Sequence, residues 1–318
     1  MQPPITPDAF KELIKTLRYQ YISLPEQMVY NSFASIINDL RRAFPIYPNL
    51  EQLILNQASA VIEQTRAQNW TQYRKSEKDL CIALISQLLP TATLQQLTPE
   101  QTQSLVAECM QDYFYDLALS NTQSRRSRAG REFESILELV LNAANIPVVL
   151  QGDVGEIGKK KAVDLVVPST FHVRAEPTKT ALISAKTTLR ERWQEVIEEA
   201  QRIQCSKMYL ATLDSKISTK TLSMLQNSNI YIVTTAKIKA AFCNNNSLTP
   251  DNVTQMLSFE EMLVEIKGLT QSYDYQSWDD VSWNGLKLYY LNKAQTDQRP
   301  LVSDFYKQQL AALLQQRP

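Results

Sequence analysis

The first third of the chain carries apolar residues at helical spacing. Between residues 8 and 118, leucine and isoleucine recur at this spacing, glycine is absent, and residues of high helix propensity dominate. Pro45, Pro48 and Pro90 separate the segments, because proline interrupts or ends a helix. The helices that this pattern predicts are 10–21, 25–42, 50–66, 70–88 and 99–119.

A different pattern begins near residue 131, where short apolar runs alternate with longer helical segments. Short apolar runs bounded by Pro, Gly and polar clusters are typical of buried strands. The alternation predicts an α/β core with a mixed sheet over residues 121–318, preceded by a helical domain over residues 1–120. The predicted strands are 148–151, 162–167, 180–186, 208–212 and 230–234, and the predicted helices are 131–144, 190–204, 218–227, 236–242 and 258–267.

Two of the predicted strands carry a charged residue. Asp164 lies in the middle of one apolar run, and Lys186 ends another, with 21 residues between them. A lone buried aspartate is often only a hydrogen-bonded acid, but a divalent cation with a phosphate would satisfy both charges. Hydrolysis of a phosphodiester needs such a cation, a water that it activates and a nearby positive group. We therefore predict that Asp164 binds Mg²⁺ and that Lys186 positions or activates the water.

The helix after Lys186 supplies a second carboxylate. At about 100° per residue, one face of this helix is apolar and packs on the sheet. Glu199 flanks that face, whereas Glu195 and Glu198 point largely to solvent, so we predict Asp164 and Glu199 as the metal ligands. The apolar face consists of Trp193, Val196, Ile197, Ala200 and Ile203.

The order of these residues resembles a known family. Asp164, the Ser-Ala-Lys sequence that ends at Lys186, an Arg-Glu-Arg triplet and Glu199 are similar to the PD-(D/E)XK restriction endonucleases, in the branch holding SsoII, PspGI, EcoRII and NgoMIV. In that branch the acid two positions before the lysine is missing, and here that position is Ser184. The branch takes its carboxylate from the next helix instead, which implies the same role for Glu199.

A second stretch carries the same resemblance. The sequence at 124–134 is similar to the arginine-rich helix start of this branch, which implies that Glu134 is a further active-site carboxylate. The position of the family's proline is Val163 here, a substitution that the superfamily tolerates. Together the matching motifs cover residues 123–199, and the resemblance implies a nuclease fold that binds double-stranded DNA.

The triplet Arg190-Glu191-Arg192 is where we expect sequence recognition. Arginine makes paired hydrogen bonds to guanine, and glutamate accepts from the amino group of cytosine, so the triplet suits two adjacent C·G pairs in the major groove. The resemblance implies a CC/GG half-site and a base contact from Gln123. Because one helix reads one half-site, a palindromic target requires a homodimer.

Arg66 and Trp70, four positions apart on one predicted helix, match a further feature of the family. The resemblance implies a pocket that holds an extruded central nucleotide, because an unstacked base needs an aromatic face and a planar cation. An Arg–Trp pair at this spacing is also common on ordinary helix surfaces. If the pocket exists, the target has an unread centre, CCNGG, rather than a contiguous CCGG. The sequence alone leaves CCNGG, CCWGG and CCGG open.

Composition limits the remaining possibilities. Basic and acidic residues balance at 33 each, so DNA binding must come from a local patch, which the arginines of segment 125–131 and the triplet would supply. The four cysteines lack paired spacing, which argues against zinc and disulfides. The single histidine, His172, is expected in a surface loop. Without a long apolar run or a signal peptide, we expect a cytoplasmic protein with no membrane contact.

These features together predict a type II restriction endonuclease. The resemblance implies a Mg²⁺-dependent homodimer that cuts before the first C, leaves five-base 5′ overhangs, and has a partner DNA cytosine methyltransferase. Two alternatives stay open: a PD-(D/E)XK repair or recombination nuclease, and a DNA-binding protein without catalytic activity on that scaffold. The set of Asp164, Lys186 and Glu199 argues against the second.

Overall fold

A mixed sheet with helices on both faces forms the centre of the molecule. The computed structural model describes residues 5–154, 162–189, 193–202, 207–244 and 255–317. Within these residues the sheet has six strands, in the order in which they occur in the chain. They are Val149–Asp153 (β1), Ala162–Val167 (β2), Ala181–Lys186 (β3), Lys207–Thr212 (β4), Ile230–Thr234 (β5) and Met256–Ser258 (β6).

The sheet changes direction at β3. Strands β1, β2 and β3 pair antiparallel, whereas β3, β4, β5 and β6 pair parallel. Parallel neighbours need a crossover between them, and the helical segments predicted after β3, β4 and β5 provide it. The predicted α/β fold with a mixed sheet is thus confirmed.

Helices account for most of the other described residues. Those before the sheet are Pro7–Tyr21 (α1), Pro25–Ala43 (α2), Leu50–Leu88 (α3), Thr91–Leu94 (α4), Pro99–Ser104 (α5) and Gln111–Ala143 (α6), with a π-helical turn at Leu105–Cys109. The later ones are Thr170–Ala175 (α7), Trp193–Arg202 (α8), Thr219–Asn227 (α9), Ala236–Asn244 (α10), Phe259–Leu269 (α11), Asp280–Thr296 (α12) and Pro300–Gln316 (α13). No described helix is both long enough and apolar enough to cross a membrane.

Helix α6 is longer than the sequence predicted. The arginine-rich segment 120–130, which we placed between two helices, lies inside it. Arginine and glutamine are good helix formers, and the single Gly130 costs only about 1 kcal/mol relative to alanine in a helix of this length. The helix runs through the predicted division between residues 120 and 121. That division stays a prediction.

Two apolar cores lie on opposite faces of the sheet. One face packs against α8, α9 and α10 through residues such as Val196, Leu222 and Phe242. The other packs against α2, α3 and α6, and also against α11, α12 and α13. Phe33 from α2 and Ile183 from β3 belong to this same core, so the early helices are attached directly to the sheet. A third cluster, around Phe10, joins α1 to the distal parts of α3 and α6.

The prediction for His172 is wrong. The residue lies on the short helix α7 and is only 1% exposed. Its Nδ1 is 2.7 Å from Ser169 Oγ, its Nε2 is 3.2 Å from the Tyr275 hydroxyl, and the ring of Trp278 packs edge-on against it. Burial lowers the pKa of His172 to about 3, so the ring is neutral. Its aromatic neighbours come from a segment about one hundred positions later, which local sequence patterns do not reveal.

Candidate active site

Asp164 and Lys186 meet across the antiparallel pair β2–β3. Lys186 Nζ donates to Asp164 Oδ2 at 2.8 Å, and the backbone N–H of Ala185 donates to the same oxygen at 2.8 Å. The hydroxyl of Ser184 adds a third, longer bond at 3.3 Å. Lys186 is 6% exposed, so its charge is nearly desolvated and depends on the aspartate for compensation.

Glu199 approaches this pair from α8. Val196 is fully buried against the sheet, with Trp193 and Ile197 partly buried beside it, whereas Glu198 is exposed. The side chain of Glu199 is half-buried, and its Oε2 is buried without a hydrogen-bond partner. Burial raises its pKa, the charge of Lys186 opposes this, and the charge of Asp164 adds to it. The packing face that the sequence predicted for this helix is therefore confirmed for its described residues.

Glu134 reaches the same charges from α6, on the other side. Gln151 Nε2 donates to Glu134 Oε2 at 2.8 Å. Burial raises the pKa of Glu134, the hydrogen bond from Gln151 opposes the rise, and the neighbouring Asp164 raises it further. Gln151 itself has a φ of 48°, a left-handed conformation that is uncommon for residues other than glycine. The structure thus brings Asp164, Lys186, Glu199 and Glu134 into one electrostatic cluster, which we call the acidic cluster.

The acidic cluster fits a hard cation. No three acidic, histidine or cysteine side chains in the described part of the chain have the spacing of a complete metal site. Magnesium, however, retains several waters and binds proteins through one or two carboxylates. Asp164 supplies one carboxylate, and Glu199 supplies a second with an oxygen that nothing in the structure satisfies. This unsatisfied buried oxygen is what a bound cation would stabilise.

The predicted recognition residues are only partly covered by the structure. Arg190, Glu191 and Arg192 lie outside the described residues. The residue before them, Leu189, is buried, and its N–H donates to Asp214 Oδ2 at 3.0 Å. Gln123 lies on the exposed side of α6, in a groove beside α1.

Arg66 and Trp70 line a common cavity of about 510 Å³ between α3, α6 and the sheet. Trp70 is 45% exposed, and its ring stacks on Tyr73 with a centroid distance of 5.6 Å and an interplanar angle of 19°. Arg74 places its guanidinium 5.8 Å from the Trp70 centroid. Leu213, directly after β4, and Ile238 on α10 line the cavity from the sheet side.

The predicted basic patch on α6 is largely neutralised within the protein. Arg125 pairs with the buried Glu77, Arg128 with Glu132, and Arg131 with Glu26, at nitrogen–oxygen distances of 2.5, 3.0 and 2.7 Å. Arg126 is exposed, and no carboxylate of the described residues is paired with it. Three arginines of the predicted patch therefore carry charges that are paired within the protein, and the role of this segment in DNA binding stays a prediction.

Two residues of the site were not singled out from the sequence. Gln151 orients Glu134 through its side-chain amide, but a glutamine at the end of a strand carries no distinctive signal. Asp214 accepts the N–H of Leu189, and its only sequence signal is a position two residues after β4. Both depend on contacts between segments that are distant in the chain.

Comparison with known proteins identifies the family. The family model described as EcoRII C terminal matches residues 95–263, more than half of the chain. The type II restriction enzyme SsoII of Shigella sonnei is 35% identical over 317 residues, which cover 97% of this chain and 98% of that protein. Among solved structures, metal-depleted Ecl18kI in complex with uncleaved DNA aligns with a TM-score of 0.81 at 35% identity, covering 96% of this chain and 100% of that chain.

A more distant structure supports the fold alone. The complex of the restriction endonuclease PspGI with substrate DNA aligns with a TM-score of 0.55 at 16% identity, covering 76% of this chain and 93% of that one. Three findings point to the same family: the fold, the family match, and the 35% identity to SsoII over almost the whole chain. The motifs around Asp164 and Lys186 agree with them. The chain belongs to the type II restriction endonucleases, in the EcoRII C-terminal family, and is a site-specific deoxyribonuclease of PD-(D/E)XK type.

Proposed function

We propose that this enzyme cleaves double-stranded DNA at a short palindrome with CC/GG half-sites, in the form CCNGG. In this proposal it uses Mg²⁺, cuts before the first C and leaves five-base 5′ overhangs. The observation that carries the catalytic part is the acidic cluster, in which Asp164 pairs with Lys186 while Glu199 keeps an unsatisfied oxygen. The family implies a divalent metal, and the all-oxygen carboxylate set fits magnesium.

Each residue of the acidic cluster has a distinct task. Asp164 and Glu199 bind the cation, which, when bound, supplies Lewis acidity and an activated water. Lys186 orients Asp164 through Nζ and presents its remaining protons to a water or a phosphate oxygen. Glu134, oriented by Gln151 and with a raised pKa, accepts or holds a proton at its carboxylate beside the same pair.

Sequence readout is assigned to the triplet Arg190-Glu191-Arg192, with a further base contact from Gln123. The support is donor and acceptor chemistry: arginine suits guanine, and glutamate suits the cytosine amino group. The Ecl18kI structures, which align over nearly the whole chain, are complexes with DNA. Since a palindrome presents two identical half-sites, the enzyme acts as a homodimer, and the helical residues 1–120 help to clamp the duplex.

The cavity lined by Arg66 and Trp70 is assigned to an extruded central base. Its volume of about 510 Å³ lies in the range of small-molecule sites, which is sufficient for a nucleobase. The exposed face of Trp70 offers a stacking surface, and Arg66 offers a planar cation on the same wall. Stacking does not distinguish the four bases, which explains an unread central position.

Cleavage of a fully sequenced plasmid tests the specificity. The plasmid is digested with Mg²⁺ and the ends are sequenced, with a chelator as the negative control. We expect ends only at CCNGG sites, each with a five-base 5′ overhang. Methylation of the cytosines by a partner methyltransferase should protect the same sites. Ends at CCGG, or at DNA junctions and flaps without a common sequence, would overturn the proposed target.

A further inference from the structure

A break in α3 is held by a carboxylate from far along the chain. Gln57 has non-helical angles, φ −134° and ψ 18°, within an otherwise continuous helix. Beyond it, the N–H of Ser59 donates to Glu260 Oε1 at 2.6 Å, and the hydroxyl of Ser59 donates to Glu260 Oε2 at 2.7 Å. The carboxylate of Glu260 therefore accepts hydrogen bonds at the start of the second part of α3, as a capping side chain does at a helix N-terminus.

The same serine joins a third element. The N–H of Ala236, the first residue of α10, donates to Ser59 Oγ at 2.9 Å. Ser59 is only 7% exposed, so these bonds form with little competition from water. Hydrogen bonds to a charged acceptor are about twice as strong as those between neutral groups. Ser59, Ala236 and Glu260 thus form a joint, the Ser59 joint, between α3, α10 and α11.

Two of the helices that line the Arg66–Trp70 cavity, α3 and α10, are bonded to each other at the Ser59 joint. Arg66 and Trp70 follow Ser59 along α3 and line one wall. Ile238 follows Ala236 by two positions and lines the opposite wall. The relative position of the two walls therefore depends on the bonds that Ser59 makes.

Helix geometry gives the size of the effect. Trp70 lies 13 residues beyond Gln57, which corresponds to about 20 Å along the helix at about 1.5 Å per residue. A rotation of about 10° at the break would move Trp70 by roughly 3 Å, given that helix rise. Atoms in contact are separated by about 3.5 Å, so such a rotation would change the width of the space beside Trp70 by nearly the thickness of one stacked base.

We propose that Glu260 is a positioning residue that sets the width of the cavity for an extruded base. The inference rests on the proposed function, since it assumes that a base enters beside Trp70. Glu260 has no contact with the acidic cluster among the bonds described for it, and it acts through Ser59 on the orientation of α3. The joint links the base-holding helix to the sheet that carries Asp164 and Lys186.

A fluorescent duplex tests the proposal. 2-Aminopurine is placed at the centre of CCNGG, where unstacking relieves its quenching, and binding is measured without metal. Glu260→Gln keeps the shape of the side chain but removes its charge and one acceptor. Glu261→Gln is the matched control, because Glu261 is the next residue on α11 and joins α11 to α10 through Lys239 without bonding to Ser59.

We expect Glu260→Gln to lower the fluorescence gain by at least about half and to weaken binding about tenfold, the range of one lost charged hydrogen bond. Glu261→Gln should match the wild type, and urea unfolding should show that both variants are folded under the assay conditions. Glu260→Ala should lower the fluorescence gain and the affinity more than Glu260→Gln does. If Glu260→Ala does not fold, the comparison between Glu260→Gln and Glu261→Gln decides.

Trp70→Ala separates the inference from the function on which it rests. If Trp70→Ala changes the fluorescence but Glu260→Gln behaves as the wild type does, the role of Glu260 is overturned and base extrusion stands. If neither variant changes fluorescence or affinity, base extrusion fails and the inference fails with it. Equal losses in Glu260→Gln and Glu261→Gln would assign Glu260 to general stability alone.

Discussion

Lys186 Nζ lies 2.8 Å from Asp164 Oδ2, and this pair crosses from β3 to β2 at the acidic cluster. The oxygen that lysine contacts also accepts the N–H of Ala185, so Asp164 Oδ2 is fully engaged. Its other carboxylate oxygen and the unsatisfied Oε2 of Glu199 are the groups left for a cation. In the proposed metal site, the contact with Lys186 therefore leaves the other carboxylate oxygen of Asp164 for the cation.

The ion pair between Arg125 and Glu77 should contribute to folding and not to DNA binding. Glu77 is 3% exposed; burial raises its pKa, but the hydrogen bond and charge of Arg125 outweigh burial and lower the pKa overall. Removing the arginine leaves a buried carboxylate with the weaker partner Arg74. We expect Arg125→Ala to lower the free energy of unfolding by about 2 kcal/mol, between the values for exposed and buried pairs.

Urea unfolding at neutral pH measures this loss. Arg131→Ala is the matched control, because its pair with Glu26 is more exposed and should cost at most about 1 kcal/mol. The lowered pKa of Glu77 also means that its contribution is present at neutral pH and is lost as pH falls through that pKa. A smaller loss in Arg125→Ala than in Arg131→Ala would contradict this assignment.

Glu199 should destabilise the metal-free enzyme near neutral pH. Burial raises its pKa, so protonated Glu199 favours folding at low pH, and this stability is lost as pH rises through the raised value. Glu199→Gln cannot ionise, and in a chelator it should raise the midpoint of thermal unfolding at pH 7 by about 2 °C, typical of one stabilising substitution. The gain should shrink toward pH 4, where the wild-type carboxyl is protonated.

Added Mg²⁺ should reverse the order of the unfolding midpoints of the wild type and Glu199→Gln. A cation favours the ionised carboxylate, so it should raise the unfolding midpoint of the wild type and not that of Glu199→Gln. Glu198→Gln, with its exposed side chain, should follow the wild type in both conditions. An equal response to Mg²⁺ in wild type and Glu199→Gln would remove Glu199 from the metal site.

Different arginine variants should affect base recognition and binding to the DNA phosphate backbone separately. Arg190→Ala and Arg192→Ala should each cost about 1–3 kcal/mol of discrimination at a single G position. Arg126→Ala, on the exposed side of α6, should weaken binding equally for all sequences and flatten the salt dependence by about one unit. Competition binding with altered duplexes at several salt concentrations distinguishes the two effects, and a uniform loss in the Arg190 and Arg192 variants would contradict the readout.

Local patterns predicted the parts of the fold that depend on neighbours in the chain. The strands β2 and β3 were predicted from short apolar runs, and the packing face of α8 from its period, which placed Glu199 beside Asp164. Contacts between distant segments were not predictable in this way. The ion pairs of Arg125 and Arg131, the aromatic contacts of His172 and the bond from Ser59 to Glu260 all join residues about fifty to two hundred positions apart.

Single-turnover cleavage of one CCNGG duplex tests the central claim, that Asp164 serves metal-dependent hydrolysis. Asp164→Asn keeps an acceptor for Ala185 and Ser184 and is therefore preferred to alanine, which would leave Lys186 buried and unpaired. With Mg²⁺ we expect the wild type and Glu198→Gln to cut equally fast. Asp164→Asn should be slower by about a thousandfold, yet bind the duplex without metal as tightly as the wild type. Undiminished Mg²⁺-dependent cleavage by Asp164→Asn would contradict the account.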